Sequence, residues 1–393
     1  MKGKSVVSYT LESCVRCMKC IKACPTSALS MSSDNRITVN GDECINCARC
    51  IRSCHNKGLV SHGSTLTDIQ NYDYTVCLVP SALISHFDSM EKAEQIFYAI
   101  KSLGFDEVVD VSDIDAQLLE EANLIADNGD NPINIASFCP VVNRLIHKQY
   151  PILQDAIIPL NYSSEIAAKK IREKHPDQNV GIFNLCECEG KVELAKYPSG
   201  NMEFEVDHAL VFTDVFPLIR KNMNQGRLPV AFSKRGLQAC NPMRILHKDN
   251  CLVADGFDKI SSVLDMAEFG LLTDFQLLYL FPCFNGCIGG HLLWGNSFAI
   301  QNNIDKLAQN RKLPSDYPIE DIYTDRFYPQ EEEKLSFKER IAFYNKVNEI
   351  LNQLPGYDCS ACGKQTCRVM AEEIAKENAK IEDCIVLNAL SGG

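Results

Sequence analysis

The sequence predicts an α/β middle domain with a small cysteine-rich module at each end of the chain. Strand-like and helix-like segments alternate between residues 63 and 320, a pattern that favours parallel strands covered by helices. Eight cysteines fall in two similar runs within residues 14–54, and four more lie between residues 359 and 384. We therefore divide the chain into residues 1–62, 63–320 and 321–393.

Composition limits the classes of protein to consider. The chain has 393 residues, of which 46% are hydrophobic and 23% charged, as in ordinary globular proteins. Its apolar runs are far shorter than the roughly 18 residues of a membrane span, and its net charge of −12 argues against nucleic acid as a partner. The first residues lack the apolar core of an export signal, so we expect a cytoplasmic protein. In a reducing compartment, clustered cysteines are more often metal or redox ligands than disulfides.

The N-terminal module contains a duplicated cysteine motif. The runs CVRCMKCIKAC and CINCARCIRSC, residues 14–24 and 44–54, share the spacing C-x2-C-x2-C-x3-C. This repeat resembles the bacterial two-cluster ferredoxins, in which the fourth cysteine of each run binds the other cluster. The resemblance implies a ferredoxin-like α+β fold and two 4Fe–4S clusters, with zinc as the alternative. The expected ligands are Cys14, Cys17, Cys20 and Cys54 for the first cluster, and Cys44, Cys47, Cys50 and Cys24 for the second.

The C-terminal module has a looser spacing of four cysteines. CSACGKQTC covers residues 359–367, and the segment that follows it is rich in helix formers. A helix there could return the chain so that a fourth thiolate completes a site. The spacing resembles the small 4Fe–4S domain of electron-transport subunits and corrinoid iron–sulfur proteins, and zinc is again the alternative. The expected ligands in this small helical module are Cys359, Cys362, Cys367 and Cys384.

Cysteines of the middle domain stand where predicted strands end. Cys139 follows INIASF, Cys186 and Cys188 follow GIFNL, and Cys283 and Cys287 follow QLLYLFP. In parallel sheets, ligands bind beyond the carboxyl ends of the strands. Three strand ends could therefore bring four thiolates to one cofactor, whereas a single cysteine of this kind is more often buried packing.

These segments carry a family resemblance. In order, ASFCP, CEGK and CFNGCIGG resemble the three signature segments of the iron-iron (FeFe) hydrogenases. The domain order resembles the branch of that family assigned to sensing. The resemblance implies a hydrogenase-like fold for the middle domain, a fourth 4Fe–4S cluster and a two-iron subsite that bears carbonyl and cyanide, together forming an H-cluster. The cluster ligands that it implies are Cys139, Cys188, Cys283 and Cys287.

The same resemblance assigns roles around the two-iron subsite. It implies that Cys287 bridges the cube and the subsite, that Lys191 hydrogen-bonds a cyanide, and that Ser137 flanks the subsite. Cys186 competes with Cys188 for the ligand position. Cys188 is preferred because it alone gives the spacing C-x2-K.

Two positions depart from the pattern of active hydrogenases. Phe138 stands where those enzymes carry a proton-relay cysteine, and Tyr279 stands where their relay includes a glutamate. Phenylalanine cannot carry a proton, and a tyrosine with a pKa of about 10 is a poor relay near neutrality. Positioned proton donors typically contribute ~10²–10⁴-fold in rate, so we expect slow or no hydrogen turnover.

The sequence thus predicts a multi-cluster iron–sulfur redox protein that relays electrons between 4Fe–4S clusters and an H-cluster-like site. Its expected partners are a redox protein or a separate signalling protein, together with hydrogen or protons. The alternatives are a true hydrogenase and a non-catalytic electron-transfer protein, so its status as an enzyme stays open on the sequence alone.

Overall fold

The computed structural model describes residues 5–32, 34–129, 131–136, 138–196, 204–245, 249–309, 322–323 and 337–390. The chain divides into two compact units. The terminal unit combines Met1–His62 with Pro329–Gly393, and the middle unit is Gly63–Tyr328. The two cysteine-rich modules from opposite ends of the chain therefore belong to one unit. Within the described ranges, no helix is both long and apolar enough to cross a membrane.

The strands of the described residues are numbered in chain order. They are β1 (Val7–Tyr9), β2 (Leu29–Met31), β3 (Ile37–Val39), β4 (Leu59–Ser61), β5 (Tyr74–Val79), β6 (Glu107–Asp110), β7 (Asn134–Ile135), β8 (Val180–Cys186), β9 (His208–Val211), β10 (Phe232–Ser233), β11 (Cys251–Asp255), β12 (Leu277–Phe281) and β13 (Ala308–Gln309).

The helices are numbered in the same way. They are α1 (Lys19–Ala23), α2 (Arg49–Ser53), α3 (Ser81–Ile84), α4 (Met90–Lys101), α5 (Ser112–Asn128), α6 (Pro140–Gln149), α7 (Ser163–Lys174), α8 (Glu189–Lys196), α9 (Phe212–Asn222), α10 (Lys234–Ala239), α11 (Phe257–Glu268), α12 (Ser297–Ile300), α13 (Ile304–Leu307), α14 (Phe337–Leu351), α15 (Cys367–Ala375) and α16 (Ile385–Leu390).

The N-terminal part of the terminal unit repeats itself in three dimensions. Strand β1 pairs antiparallel with β4, and β2 pairs antiparallel with β3. Helices α1 and α2 each begin after a residue in the left-handed conformation, Met18 (φ +59°) and Ala48 (φ +57°). Side chains other than glycine rarely adopt this conformation. The recurrence of this conformation 30 residues apart confirms the duplication. The combination of short antiparallel strands and short helices confirms the predicted α+β fold.

The C-terminal part of the terminal unit is helical. Helix α14 packs against α15 through a small apolar core in which Val347 meets Met370 and Ala371. Helix α15 begins at a cysteine, Cys367, after a cap in which the Thr366 side chain accepts a hydrogen bond from Val369 N. The predicted small helical module is confirmed.

The middle unit is built on parallel sheets. A four-stranded sheet has the order β6-β5-β8-β9, and a three-stranded sheet has the order β11-β12-β7, with every pairing in both parallel. Strands β8 and β12 are buried along their whole length, which explains their nearly continuous apolar sequences. The predicted α/β fold is confirmed, and its strands form separate sheets. The strand predicted over INIAS is reduced to the two residues of β7, which pairs with β12 and forms one further bridge from Ile135 to Ile157.

Candidate metal centres

The first cysteine pocket of the terminal unit combines both halves of the duplicated motif. Cys14, Cys17 and Cys20 line it together with Cys54 from the second run. The backbone N–H of Gly58 lies 3.2 Å from Cys54 Sγ and donates to it. Cys17 is exposed at the surface, whereas Cys20 is buried, and burial raises the pKa of the Cys20 thiol to about 11.

The second pocket mirrors the first. Cys44, Cys47 and Cys50 line it together with Cys24 from the first run. The N–H of Ala28 donates to Cys24 Sγ over 3.2 Å, the counterpart of the Gly58 contact. Burial raises the pKa of Cys47 to about 12, so that thiol must lose a proton when it binds iron. The structure therefore gathers the eight cysteines in the two crossed sets that the sequence predicts.

The C-terminal cysteines also line one pocket. Cys359, Cys362, Cys367 and Cys384 surround it, with Leu354 and Met370 as apolar walls. The loop that carries the first three turns sharply, with Asp358, Ser360 and Gly363 at positive φ. Asp358 Oδ1 accepts a 2.7 Å hydrogen bond from Cys367 N and so ties the start of the loop to the start of α15. These contacts explain how widely spaced cysteines come together.

In the middle unit, the carboxyl ends of strands from both large sheets meet at one place. Residues just after β5, β7 and β8 and at the end of β12 line a common pocket, together with Cys139 and Cys287. The thiols of Cys139 and Cys283 are close enough to Cys188 to act on its pKa, although burial is the largest cause of its rise well above the usual value. Burial also raises the pKa of Cys139 to about 11. All four predicted ligands are thus gathered at these strand ends.

Cys186 and Cys188 point to different surroundings. Cys186 is the last residue of β8, and its thiol donates to Asn184 O over 3.4 Å. The nearest other thiol that acts on its pKa is that of Cys77, inside β5, whereas Cys188 is influenced by Cys139 and Cys283. This placement agrees with the preference for Cys188, and its role as ligand stays a prediction.

Lys191 lies in the middle pocket, inside a buried charge cluster. Its ammonium nitrogen is 2.7 Å from Glu187 Oε1, and the Lys191 side chain is 18% exposed against 1% for Glu187. The Asp115 carboxylate lines the same pocket and accepts a 2.5 Å hydrogen bond from Ser81 Oγ. Burial lowers the pKa of Lys191, but Glu187 and Asp115 outweigh it and raise that pKa well above its usual value. Lys191 therefore stays protonated.

Aromatic side chains occupy the positions where the sequence predicts lost proton carriers. Phe138 lines the pocket beside Cys139, and its ring stacks on Tyr279 with 6.0 Å between centroids. Tyr279 is fully buried, and its hydroxyl accepts a 3.0 Å hydrogen bond from Asn123 Nδ2. Burial raises the pKa of Tyr279. Ser137, the other predicted subsite residue, lies outside the described residues.

Three pocket residues were missed by the sequence interpretation. Glu187 had a usable signal, since an acid four residues before Lys191 allows an ion pair on one helical turn. Asp115 and Cys240 had none, because they come from distant segments. In the sequence, Cys240 has no other cysteine at ligand spacing. The structure places it in this pocket, where its carbonyl accepts a 3.0 Å hydrogen bond from Cys287 N.

The donor sets fit iron–sulfur clusters. Each set offers four thiols around one pocket or strand-end junction, which is the requirement of a 4Fe–4S cube. Among the described residues, no three His, Cys, Asp or Glu side chains converge tightly enough to hold a single metal ion. The pocket beside Cys287 also suits a cyanide-bearing group, because the protonated Lys191 is a donor there and Phe138, Leu118 and Phe281 supply apolar walls.

Three family models match the chain. Residues 6–55 match a 4Fe-4S dicluster domain, residues 74–228 match the C-terminal domain of the iron only hydrogenase large subunit, and residues 354–386 match an Fe-S cluster domain. The fold and the cysteine sets therefore define a multidomain iron–sulfur protein. Its middle domain is FeFe-hydrogenase-like over residues 74–228.

Similar solved structures come from FeFe hydrogenases. A structure describing stepwise assembly of the H-cluster is 13% identical, with a TM-score of 0.47 over 63% of this chain and 89% of that chain. A structure describing oxygen inactivation is 13% identical, with a TM-score of 0.46 over 63% and 90%. A variant of the Chlamydomonas reinhardtii enzyme is 12% identical, with a TM-score of 0.43 over 61% and 86%.

A short match links the chain to one curated relative. An uncharacterized protein of Methanocaldococcus jannaschii is 47% identical over 38 residues, or 10% of this chain. The match spans 17% of the length of that relative.

Proposed function

We propose that this protein is a multi-cluster redox protein that exchanges electrons between 4Fe–4S clusters and an H-cluster-like middle site, with slow or no turnover of hydrogen. The observation that carries the proposal is Phe138. It lines the pocket next to Cys139, where hydrogen chemistry would need a group that can give and take a proton. A hydrocarbon ring at that place excludes water and supplies no proton.

Four clusters follow from the four cysteine sets: two in the N-terminal module, one in the C-terminal module and one at the middle site. Each cube exchanges one electron at a time. Cys17 of the first N-terminal cube and Cys359 of the C-terminal cube are both exposed, so these two cubes are the points at which a redox partner can make contact. The reduction potentials of such clusters span roughly −700 to +450 mV, and buried charges and hydrogen bonds to sulfur tune them.

At the middle site, Cys139, Cys188 and Cys283 would hold a cube with Cys287, and Cys287 would also bridge to a two-iron group. That group, when bound, supplies the site at which hydrogen can bind. Lys191 would orient its cyanide, held in place by Glu187. A site that binds hydrogen but receives protons slowly suits a sensor, and the signal would pass to a redox partner or a separate signalling protein.

The test combines an infrared spectrum with a hydrogen assay. The full chain is expressed anaerobically with hydrogenase maturation factors, and an active hydrogenase matured in parallel serves as the control. We expect bands from metal-bound carbonyl and cyanide, and hydrogen evolution at least ~10²-fold below the control, the lower bound for a missing proton donor. Evolution at the control rate would overturn the proposal.

The infrared result also separates the proposal from a simpler electron-transfer protein. A spectrum without those bands, with an active control and iron that matches cubes alone, would leave the middle domain with a cube only. The Glu187 carboxylate favours this second candidate, because it already pairs with the Lys191 ammonium, which a cyanide would have to share with it.

A further inference from the structure

The loop that carries the C-terminal cysteines rests against the N-terminal module inside the terminal unit. Ser27 Oγ donates to Gln365 Oε1 over 2.8 Å, and Gln365 Nε2 donates to the Lys22 carbonyl over 3.2 Å. Gln365 lies between Cys362 and Cys367, two of the expected ligands. One side chain therefore links the C-terminal cluster loop to two points of the N-terminal module.

A second contact brings the two backbones together. Met31 N donates to the Gly363 carbonyl over 3.4 Å. Gly363 has φ +79°, and a Cβ atom added there would lie 2.8 Å from Met31 Cβ. A side chain at position 363 would therefore push the loop away from β2, and only glycine permits this approach.

The contact falls on the second cube rather than the first. Ser27 lies within the segment from Pro25 to Leu29, whose other members Thr26 and Leu29 line the pocket of Cys24, Cys44, Cys47 and Cys50. Lys22, Ser27 and Met31 line neither N-terminal pocket themselves, but Ser27 directly follows Thr26, which lines the second pocket and not the first. The C-terminal loop thus reaches the wall of the second pocket.

We infer that the C-terminal cube exchanges electrons directly with the second N-terminal cube, and that Gln365 and Gly363 are positioning residues for this transfer. The inference deepens the proposed function and rests on its cluster assignments. In the step, one cube is oxidised by one electron and the other is reduced by one, with no bond made or broken. The terminal unit is then a continuous three-cube path, in which the second cube links the first cube to the C-terminal cube, and each end of the path has an exposed cysteine, Cys17 or Cys359.

Magnetic coupling between reduced cubes tests the pairing. The full chain is reconstituted anaerobically with iron and sulfide, fully reduced, and examined by electron paramagnetic resonance. Cys384→Ala identifies the signal of the C-terminal cube by its loss. We expect this signal to be split or broadened in the parent protein, to become unsplit in Cys47→Ala, which lacks the second cube, and to stay split in Cys17→Ala, which lacks the first.

The positioning role is tested with a matched pair of glutamine variants. Gln365→Ala removes both side-chain hydrogen bonds, and we expect at least a twofold loss of the broadening at unchanged iron content. Gln353→Ala is the control, because Gln353 is exposed and its side chain donates to Glu349 O, four residues earlier in the same part of the chain. Ser27→Ala removes one bond and serves as a second variant if Gln365→Ala loses iron; we expect a smaller loss of broadening.

An unsplit C-terminal signal in the parent protein with all cubes reduced would overturn the inference. Splitting that survives Cys47→Ala and disappears in Cys17→Ala would also overturn it, since the first cube would then be the neighbour. Equal broadening in Gln365→Ala, Ser27→Ala and the parent would remove the positioning role. None of these outcomes changes the infrared or hydrogen result, so failure here is distinguishable from failure of the proposed function.

Discussion

The ammonium of Lys191 is 2.7 Å from Glu187 Oε1. Glu187, the residue before Cys188, therefore fixes the position of the positive charge in the pocket beside Cys287. Glu187 is 1% exposed, and neither of its carboxylate oxygens has a conventional hydrogen-bond partner among the described side chains and backbone. The ion pair is therefore its main source of stabilisation. Removing the Lys191 charge leaves the Glu187 carboxylate buried and uncompensated, which is costly in a low dielectric, whereas Lys191 without Glu187 still has Asp115 nearby.

Substituting Glu187→Gln should raise the reduction potential of the middle cube. A buried negative charge next to Cys188 opposes addition of an electron, so its removal favours the reduced cluster. We expect a positive shift on the order of 60 mV, which corresponds to ~1.4 kcal/mol for a one-electron couple. A redox titration followed by electron paramagnetic resonance measures it. Glu193→Gln is the control, since that buried acid pairs with Arg144 instead, and an equal shift in both variants would contradict a specific effect of Glu187.

Substituting Phe138→Cys should speed hydrogen evolution. The thiol would stand beside Cys139 in the pocket and supply the exchangeable proton that the ring lacks. We expect an increase of ~10²-fold or more, the usual contribution of a positioned donor. Phe138→Ala controls for the space that the ring leaves. If the rate of hydrogen evolution rises equally in both variants, the space opened by removing the ring, and not the added thiol proton, explains the increase.

Paired alanine variants should reveal the crossed cysteine sets through their iron content. Cys17→Ala with Cys54→Ala removes two ligands of one predicted cube and should cost about four irons. Cys17→Ala with Cys24→Ala removes one ligand from each cube and should cost about eight. Iron and sulfide analysis of the purified full chain distinguishes them. If the variant lacking Cys17 and Cys24 loses about four irons and the variant lacking Cys17 and Cys54 loses about eight, Cys24 binds the same cube as Cys17 and the crossed assignment is wrong.

Glu165 should make the stability of the middle unit depend on pH. Burial raises the pKa of Glu165 to about 7, above its ordinary 4.5, and its carboxylate accepts a 2.9 Å hydrogen bond from Glu205 N. Between these two values the unfolded chain releases the proton and the folded chain keeps it, so the free energy of unfolding falls as pH rises. The full penalty, about 3 kcal/mol, is present above the folded pKa and absent below the unfolded one.

Glu165→Gln should remove that part of the pH dependence. The single tryptophan, Trp294, belongs to the middle unit and packs on Phe212 and Phe216, so its fluorescence follows unfolding of that unit in urea. We expect the variant to gain stability relative to the parent at pH 8 and to match it at pH 4. A constant difference between the two proteins at all pH values would show that Glu165 does not titrate in this range.

The cysteine sets could be predicted from sequence because cluster ligation is encoded locally. Three ligands of each N-terminal set lie within seven residues, and the repeat supplies the fourth. The α/β fold of the middle unit could also be predicted, since buried strands such as β8 are apolar at nearly every position. The division of its strands into separate sheets was not readable, because pairing order is set by long-range packing.

The polar residues of the middle pocket were harder to predict for the same reason. Asp115 lies on α5 and Cys240 directly follows α10, more than a hundred residues further along the chain. The two helices meet where Gly236 has no side chain: a Cβ atom there would lie 1.7 Å from Ser112 O. That close approach brings Asp115 and Cys240 to one pocket. The contact between the two helices cannot be predicted from the sequence pattern of either segment.

The crossed ligation of the N-terminal module has a consequence for how the protein fails in air. Helix α1 carries Cys20 in the first pocket and is followed by Cys24 in the second, whereas α2 carries Cys50 in the second pocket and is followed by Cys54 in the first. Each short helix is therefore held at its two ends by ligands of different cubes. Oxidative destruction of the exposed first cube would release one end of both helices. The second cube would then lose iron faster than it does in the intact module. Oxygen damage would spread from the exposed first cube to the second cube and interrupt electron transfer between them.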